Sequence, residues 1–378
     1  MDYLESVRNR EEKYLSKWAK KSTESRGRRN RLDRDPNRTE FERDTHRILH
    51  SLPFRRLRNK AQVFYAPKND HLCTRMEHAL HVASISSTIC KHLGLNVDLA
   101  EAIALAHDLG HPPFGHIGED ILRKLHKKNC LPVFKHEAQS LRVIDHFRVR
   151  GETLNLTYEV RDGVVCHCGE KFVRELKPDR KKDITSVGVD AARRQRPATL
   201  EACVVKFADV ISYVGRDYED AVHVRIIEQK LPRQITRVLG DSNSRIIGRI
   251  IKDIIENSRG GSIKLSDEVF SATNNLLKFN IKHIYNNPRI CDQYHRIEQM
   301  LSDLFYYFLE VVQKTERGKR NKKNYRGTAI DVFYEFLDDM QYSSEESDAQ
   351  IVSDFVAGMT DTFATRTYQE LFLVSPPA

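Results

Sequence analysis

The sequence predicts a mainly α-helical protein, a single compact body with a helical C-terminal extension. Apolar residues recur at helical spacing along most of the chain, as in the runs Met76–Gly94 and Leu99–Ala106. Start and stop residues frame these runs, with Thr39 and Asn96 or Asp98 at N-cap positions and Gly94 at a helix end. Strand-like alternation is confined to one stretch, Thr153–Val165.

Taken in order, residues 1–22 are expected as a helix, followed by a basic loop to Pro36. Thr39 N-caps a helix reaching Ser51, Glu42 completes its capping box, and Pro53 stops it. Phe54–Phe64 is a short, strongly basic connection. The helix opening at Arg75 closes near Gly94, a C′ glycine, and the next runs from about Asn96 to His107-Asp108. Helices follow at 115–128 and 136–148. Residues 151–195 are the least helical: Thr153–Val165 fits a short extended piece or a separate helix, and Gly163, Gly169 and Pro178 punctuate the region. A long helix covers 199–226. After a turn at Gly240, helices are expected at 245–257, 266–287, 295–314, 328–339 and 347–372.

At 378 residues and 40% hydrophobic content the chain has enough apolar material for a sizeable core. It contains no run of about 18 apolar residues, so no membrane span is expected. The start MDYLESVRNREEKYLSKW is charged and helical, unlike a signal peptide, and seven cysteines form no regular framework. A reducing, cytoplasmic setting fits both. The charge of +9, from 62 basic and 53 acidic residues, fits a solvated basic surface, attraction for polyanionic nucleotides, or weak nucleic-acid binding. The basic clusters 26–38 and 314–326 interleave no aromatic residue except Tyr325, which argues against a dedicated single-strand groove.

Chemistry concentrates between Arg75 and Glu119. His78 lies near the start of one helix, and His107-Asp108 ends the next. Neighbours inside a helix point about 100° apart, but at a C-terminus both can turn onto one ion. Asp209 is an acid set in the apolar run Glu201–Tyr213, where an unpaired charge would be costly and a cation would be its partner. His78, His107, Asp108 and Asp209 thus make a mixed imidazole–carboxylate set suited to a divalent metal. Cys166-His167-Cys168 lacks a second C-x-x-C or a distal pair and is read as structural.

The order and spacing of these residues resemble the HD superfamily of metal-dependent phosphohydrolases. The surrounding phrases resemble its dGTPase-like branch of deoxynucleoside triphosphate triphosphohydrolases, which includes the SAM-and-HD-domain dNTPases. The phrases are Arg38-Thr39 with Phe41 and Asp44, Phe54-Arg-Arg-Leu-Arg58, Gln62-Val-Phe64, Arg75-x-x-His78, AIALAHDLGHPPFGHIGE, His136-Glu137 and Ala208-Asp209-x-x-x-Tyr213. The resemblance implies an N-terminal helix and basic loop (1–36), an HD core (37–230), and a helical region (231–378) completing the pocket and oligomer contacts.

It also implies roles. The metal, Mg²⁺ or Mn²⁺ with Co²⁺, Ni²⁺, Fe²⁺ or Zn²⁺ as alternatives, neutralises the polyphosphate on His78, His107, Asp108 and Asp209. Arg75, Lys206 and Lys282 are candidate phosphate cations. His116 is the expected general acid, with Glu119 one turn later to orient it; His111, His136 and Glu137 complete a polar wall. Gln62 and Asp217 take the sugar 3′-hydroxyl, Tyr213 touches phosphate or sugar, and Tyr285 packs where a 2′-hydroxyl would clash. Arg56 and Arg58 match an allosteric segment, so a dNTP activator and a homo-oligomer, dimer to hexamer, are expected beside the dNTP substrate. Another nucleotide substrate, or a nucleic-acid-binding or nuclease protein, is the alternative.

Overall fold

The structure, a computed structural model, describes residues 2–64, 72–148, 151–168, 172–188, 196–314 and 327–373. The basic stretch 315–326, with Tyr325, and Gly169 lie outside the described residues. Seventeen α-helices are assigned among them: α1 Tyr3–Tyr14, α2 Glu40–Leu49, α3 Leu52–Arg56, α4 Arg75–Leu93, α5 Val97–Ala106, α6 Gly115–Lys128, α7 His136–His146, α8 Tyr158–Cys166, α9 Leu200–Val214, α10 Arg216–His223, α11 Arg233–Leu239, α12 Asn243–Asn257, α13 Asp267–Asn280, α14 Pro288–Lys314, α15 Ala329–Met340, α16 Asp348–Gly358 and α17 Asp361–Phe372. β1 (Glu175–Leu176) and β2 (Ile263–Lys264) pair antiparallel, with Glu175 opposite Lys264. The expected mainly α fold is what the chain adopts. No helix among the described residues is long and apolar enough to cross a membrane.

The main core is built on α4, α5 and α9, which pack on one another, with α2 and α8 against α5. Its buried residues include Val82, Ile89, Leu99, Ile103, Val204 and Ile211. Burial on this scale, at about 25 cal/mol per Å² of apolar surface, is what holds short helices that would be marginal alone. A second cluster joins α6 (Ile121, Leu122, Leu125) to Leu301, Phe305 and Phe308 of α14, Phe333 of α15, and Val352 and Phe355 of α16. Glu201, in the first turn of α9, is fully buried; its Oε1 accepts from the backbone N–H groups of Lys20 and Asn96, which ties the N-terminal loop to α5.

The capping signals hold. Thr39 and Glu42 form the capping box of α2, Asn96 caps α5, and Gly94 takes a left-handed φ of 63° at the end of α4. Several boundaries are set by contacts that the sequence pattern alone does not show. The first helix stops at Tyr14, because Ser16 N–H instead meets the carbonyl of Gly94. Pro53 starts α3 rather than only stopping α2, sitting in a first turn capped by Ser51, where its missing N–H costs nothing. Of the two readings of Thr153–Val165, the helix forms, from Tyr158. The expected 199–226 helix breaks at Gly215, where a Cβ would lie 2.7 Å from Asn243 Oδ1, and 347–372 breaks where Thr360 caps α17. Helix α11 was not expected, and 266–287 ends in a π-helical turn, Ile281–Tyr285.

Candidate metal centre and nucleotide cavity

A capping box of Thr74 and Glu77 fixes the start of α4 and sets His78 in its first turn. Helix α5 ends at Ala106, so His107 and Asp108 leave it together in a tight turn beside α4. Asp209 comes from α9, which packs on both helices. The three elements bring the four expected ligands together. His78 Nε2 lies 3.0 Å from Asp209 Oδ1 and 3.3 Å from His107 Nε2; His107 Nε2 lies 3.6 Å from Asp108 Oδ2 and 4.0 Å from Asp209 Oδ1.

The outer hydrogen bonds fix both rings. His107 Nδ1 donates to the carbonyl of Ala104 at 2.6 Å. Ser212 Oγ gives its hydrogen to the carbonyl of Asp209, so it accepts from His78 Nδ1 at 3.0 Å. With Nδ1 of each ring engaged outward, both Nε2 atoms face the two carboxylates. Burial works against the Asp108 carboxylate, yet His107 and Arg75 hold it well below the usual range. Asp209, against the same burial, is held at about 2 by His78 and His107. Two ring nitrogens and two carboxylates converging in this way fit a divalent cation, which would take the place of any proton between them.

Arg75 is buried beside them. It donates to Asp108 Oδ2 at 2.6 Å and to the carbonyl of Gln62 at 3.2 Å, and its Nε has no partner among the described residues. Phe114 and Gly115 both have positive φ, turning the Pro-Pro loop into α6. A Cβ at Gly115 would lie 3.0 Å from the Gln62 carbonyl and 3.3 Å from Arg75, so glycine permits this approach. Lys60, buried, braces the loop by donating to the carbonyls of His111 and Ala357; burial lowers its ammonium to about 7.

The polar wall assembles as expected. His136 Nδ1 lies 3.0 Å and His116 Nδ1 3.6 Å from Glu119 Oε2, and the His111 ring is 4.7 Å from that of His136 and 5.4 Å from that of His116. His116 alone is open to solvent, its side chain 70% exposed. Glu137 is buried, 3.7 Å from His136 Nδ1. Burial and Arg75 push His111 well below its ordinary value, and its Nε2 has no described partner. Burial opposes protonation of His136, but Cys168 and Glu119 outweigh it and raise the ring well above its usual value.

A cavity of about 640 Å³ opens beside the ligands, lined by Asp209, Tyr213, Lys206, His167, Cys168 and Phe172 among others. That volume suits a small ligand. Tyr213 stands 6.5 Å, ring to ring, from His78. Asp217, past the break at Gly215, accepts from the Tyr285 hydroxyl at 2.5 Å, and burial pushes its carboxyl up to about 7. Gln62 is buried, and its Oε1 has no partner among the described residues, an acceptor available to a hydroxyl.

Some expected residues stand elsewhere. Lys206 donates to the carbonyls of Cys166 and Cys168, so it holds the end of α8 at the cavity rim. Lys282 is exposed on the π turn, with no described contact to the site. Arg56 donates to the carbonyl of Gly358, and Arg58 is exposed; neither has a described contact with the ligands. Sequence spacing missed His167 and Cys168, because their partner is His136 on another helix. His167 Nε2 lies 3.3 Å and Cys168 Sγ 3.4 Å from His136 Nε2, while Cys166 Sγ is packed against Lys182.

Comparison with known proteins gives a match to the HD domain over residues 75–214 and to the phosphohydrolase-associated domain over 263–370. Curated relatives include a deoxyguanosinetriphosphate triphosphohydrolase-like protein of Caldanaerobacter subterraneus subsp. tengcongensis, 37% identical across 100% of this chain and 97% of the relative. Like-named proteins of Desulfatibacillum aliphaticivorans (35%, covering 100% of this chain and 99% of that one) and Clostridium tetani (33%, covering 93% and 91%) are also similar. With the H…HD…D ligands converged and full-length identity at this level, the chain belongs to the HD-domain phosphohydrolase family, among the deoxyguanosinetriphosphate triphosphohydrolase-like proteins.

Proposed function

We propose that the protein hydrolyses dNTPs, dGTP included, to a deoxynucleoside and inorganic triphosphate. The observation that carries this reading is the convergence of His78, His107, Asp108 and Asp209 beside the buried Arg75, which becomes a cationic phosphate end once an ion is bound. In this reading Gln62 Oε1 and the Asp217–Tyr285 pair take the sugar. A metal there, Mg²⁺ or Mn²⁺, with Co²⁺, Ni²⁺, Fe²⁺ or Zn²⁺ as alternatives, would neutralise phosphate charge and polarise the P–O bonds.

The chain's own residues divide the remaining work. Arg75 offers its free Nε edge to a phosphoryl oxygen, while Asp108 keeps the guanidinium in place. Gln62 and Asp217 hold the 3′-hydroxyl, with Tyr213 and Tyr285 against the sugar; a 2′-hydroxyl would crowd that wall. His116 protonates the departing 5′-oxygen, oriented by Glu119, and His111, His136 and Glu137 line the far side. Lys206 contributes charge at the cavity rim rather than direct phosphate grip, and Lys282, off the lining, adds only to the basic surface near it.

Arg56 lines a separate cavity of about 330 Å³ with Phe147, Phe355 and Phe363, and has no ion-pair partner among the described residues. That supports an anion, an activating dNTP, reaching it from a subunit junction in a homo-oligomer, dimer to hexamer, with Arg58 beside it. The setting is cytoplasmic, and the basic surface supplies at most weak nucleic-acid binding. Incubation with each dNTP and Mn²⁺ or Mg²⁺, products resolved by chromatography, tests the reading. Intact triphosphate and deoxynucleoside are expected. Deoxynucleoside monophosphate with pyrophosphate would overturn it in favour of another nucleotide phosphohydrolase. Salt-sensitive polynucleotide binding without triphosphate release would favour the nucleic-acid alternative.

A further inference from the structure

The loop that leads from the metal ligands to His116 has few means of holding its own shape. Pro112 and Pro113 carry no N–H. The N–H of His111 goes to the carbonyl of Asp108 at 3.0 Å. Phe114 then starts α6 with a left-handed φ of 62° and no side chain able to cap it. The third residue of the helix, Ile117, is apolar, so no capping-box carboxylate turns back to the Phe114 N–H. Because Phe114 is buried, that N–H needs an acceptor from elsewhere in the fold.

Asp361 supplies it. This first residue of α17, 3% exposed, accepts from the Phe114 N–H with Oδ1 and from the Ala61 N–H with Oδ2, each at 2.8 Å. One carboxylate thus spans two segments of the site. Phe114 lies two residues before His116, and Ala61 adjoins Gln62, whose carbonyl receives Arg75 at 3.2 Å. Lys60 makes a parallel span: its ammonium donates to the carbonyl of His111 and, at 2.9 Å, to that of Ala357 in the last turn of α16. The carbonyl of Lys60 in turn accepts from the Arg75 N–H at 3.0 Å. The loop 111–114 is therefore fastened at both ends, through Lys60 and Asp361, to the junction of α16 and α17.

We propose that Asp361 is a positioning residue for the acid step, fixing where His116 stands relative to the segment of Gln62 and Arg75. This role of Asp361 rests on that of His116 as proton donor to the leaving oxygen. Asp361 itself transfers no proton. Both of its oxygens have to accept, so the geometry calls for a carboxylate; an amide would turn an NH₂ against one of the two N–H groups. Asp361 lies in the region that matches the phosphohydrolase-associated domain, which gives that region a share in the geometry of the chemistry. The competing account is that Asp361 only pins α17 to the body of the protein.

Steady-state kinetics of the metal-loaded enzyme separates the two accounts. Asp361→Asn is expected to lower kcat by a factor of about 10 or more, because a misplaced reacting group loses rate steeply. KM for dNTP and bound metal should stay near the wild-type values. The loss should vanish where the acid is already gone: the double variant of His116→Ala with Asp361→Asn should turn over as fast as His116→Ala alone. Asp361→Glu, which keeps both acceptors, guards against misfolding of the amide variant and should repeat the pattern with a smaller loss. Ala364→Gly, at a buried position of α17 away from both hydrogen bonds, should lower the melting temperature and leave kcat unchanged. Wild-type kcat in Asp361→Asn, a loss that multiplies with that of His116→Ala, or a kcat in Ala364→Gly that falls with its melting temperature would each overturn the positioning role. If His116→Ala itself turns over normally, the acid step and the positioning role fall together. If it is slow while Asp361→Asn is not, the positioning role alone falls.

Discussion

His116 is the residue whose position says most about its task. It is the one member of the polar wall in solvent, yet its Nδ1 stays 3.6 Å from Glu119. An exposed imidazole can exchange protons with water between turnovers while a carboxylate keeps its orientation. His116→Ala should slow turnover by a factor of about 10², the usual loss for a general acid, with unchanged bound metal. Steady-state rates and elemental analysis on the same sample check both halves. At this scale the sequence was legible where ligands follow one another in the chain: His107-Asp108 at a helix end and Asp209 in an apolar run each betray a charge that needs a partner. His167 and Cys168 were not legible, because what makes them a group is a contact with His136, 31 residues away. For Lys206 the sequence shows a cation near the site, and only the fold shows that two carbonyls accept from it.

Helix positions were read well wherever a cap sets them, as at Thr39 and Gly94, and poorly wherever packing sets them. The break at Gly215 follows from the approach of Asn243, a residue of α12 that no local pattern announces. Helix α9 also carries an acid placed for structure. Burial raises the Glu201 carboxyl from 4.5 to about 7, despite N–H bonds from Asn96 and Lys20 that favour the charged form. In the unfolded chain the group ionises near 4.5, so unfolding releases a proton between that value and about 7. Stability from the protonated form is therefore complete below 4.5 and is lost as the pH rises through 7. Glu201→Gln keeps the acceptor and removes the charge. Its stability should gain on the wild type as the pH rises across that window and run parallel above it, by a few kcal/mol at most. Thermal denaturation at several pH values reads this directly; a constant difference would mean that Glu201 does not titrate there.

For the whole molecule the open question is whether catalysis depends on assembly. The buried side of Arg56 meets only a backbone carbonyl among its described partners, and burial lowers its guanidinium. Such a group gains most from an arriving anion. An activated enzyme should show a lag or sigmoidal dependence on dNTP, with a dNTP-driven rise in mass, and Arg56→Ala should remove both. Hyperbolic kinetics for every single dNTP at constant mass would eliminate the regulatory reading and leave the chemistry standing. The two-core architecture has a mechanical consequence too. Helix α6 is packed into the core shared with α14–α16 from Phe114 and Ile117 at its start to Leu125 near its end, and its first turns carry His116 and Glu119 beside His111 and His136. The stretch from Leu125 back to His116 makes an arm of about 14 Å. A tilt of roughly 5° about Leu125 would move His116 by about 1 Å, a shift that matters for proton transfer. A shift in the C-terminal bundle thus has a direct route to His116, with no loop needed to relay it.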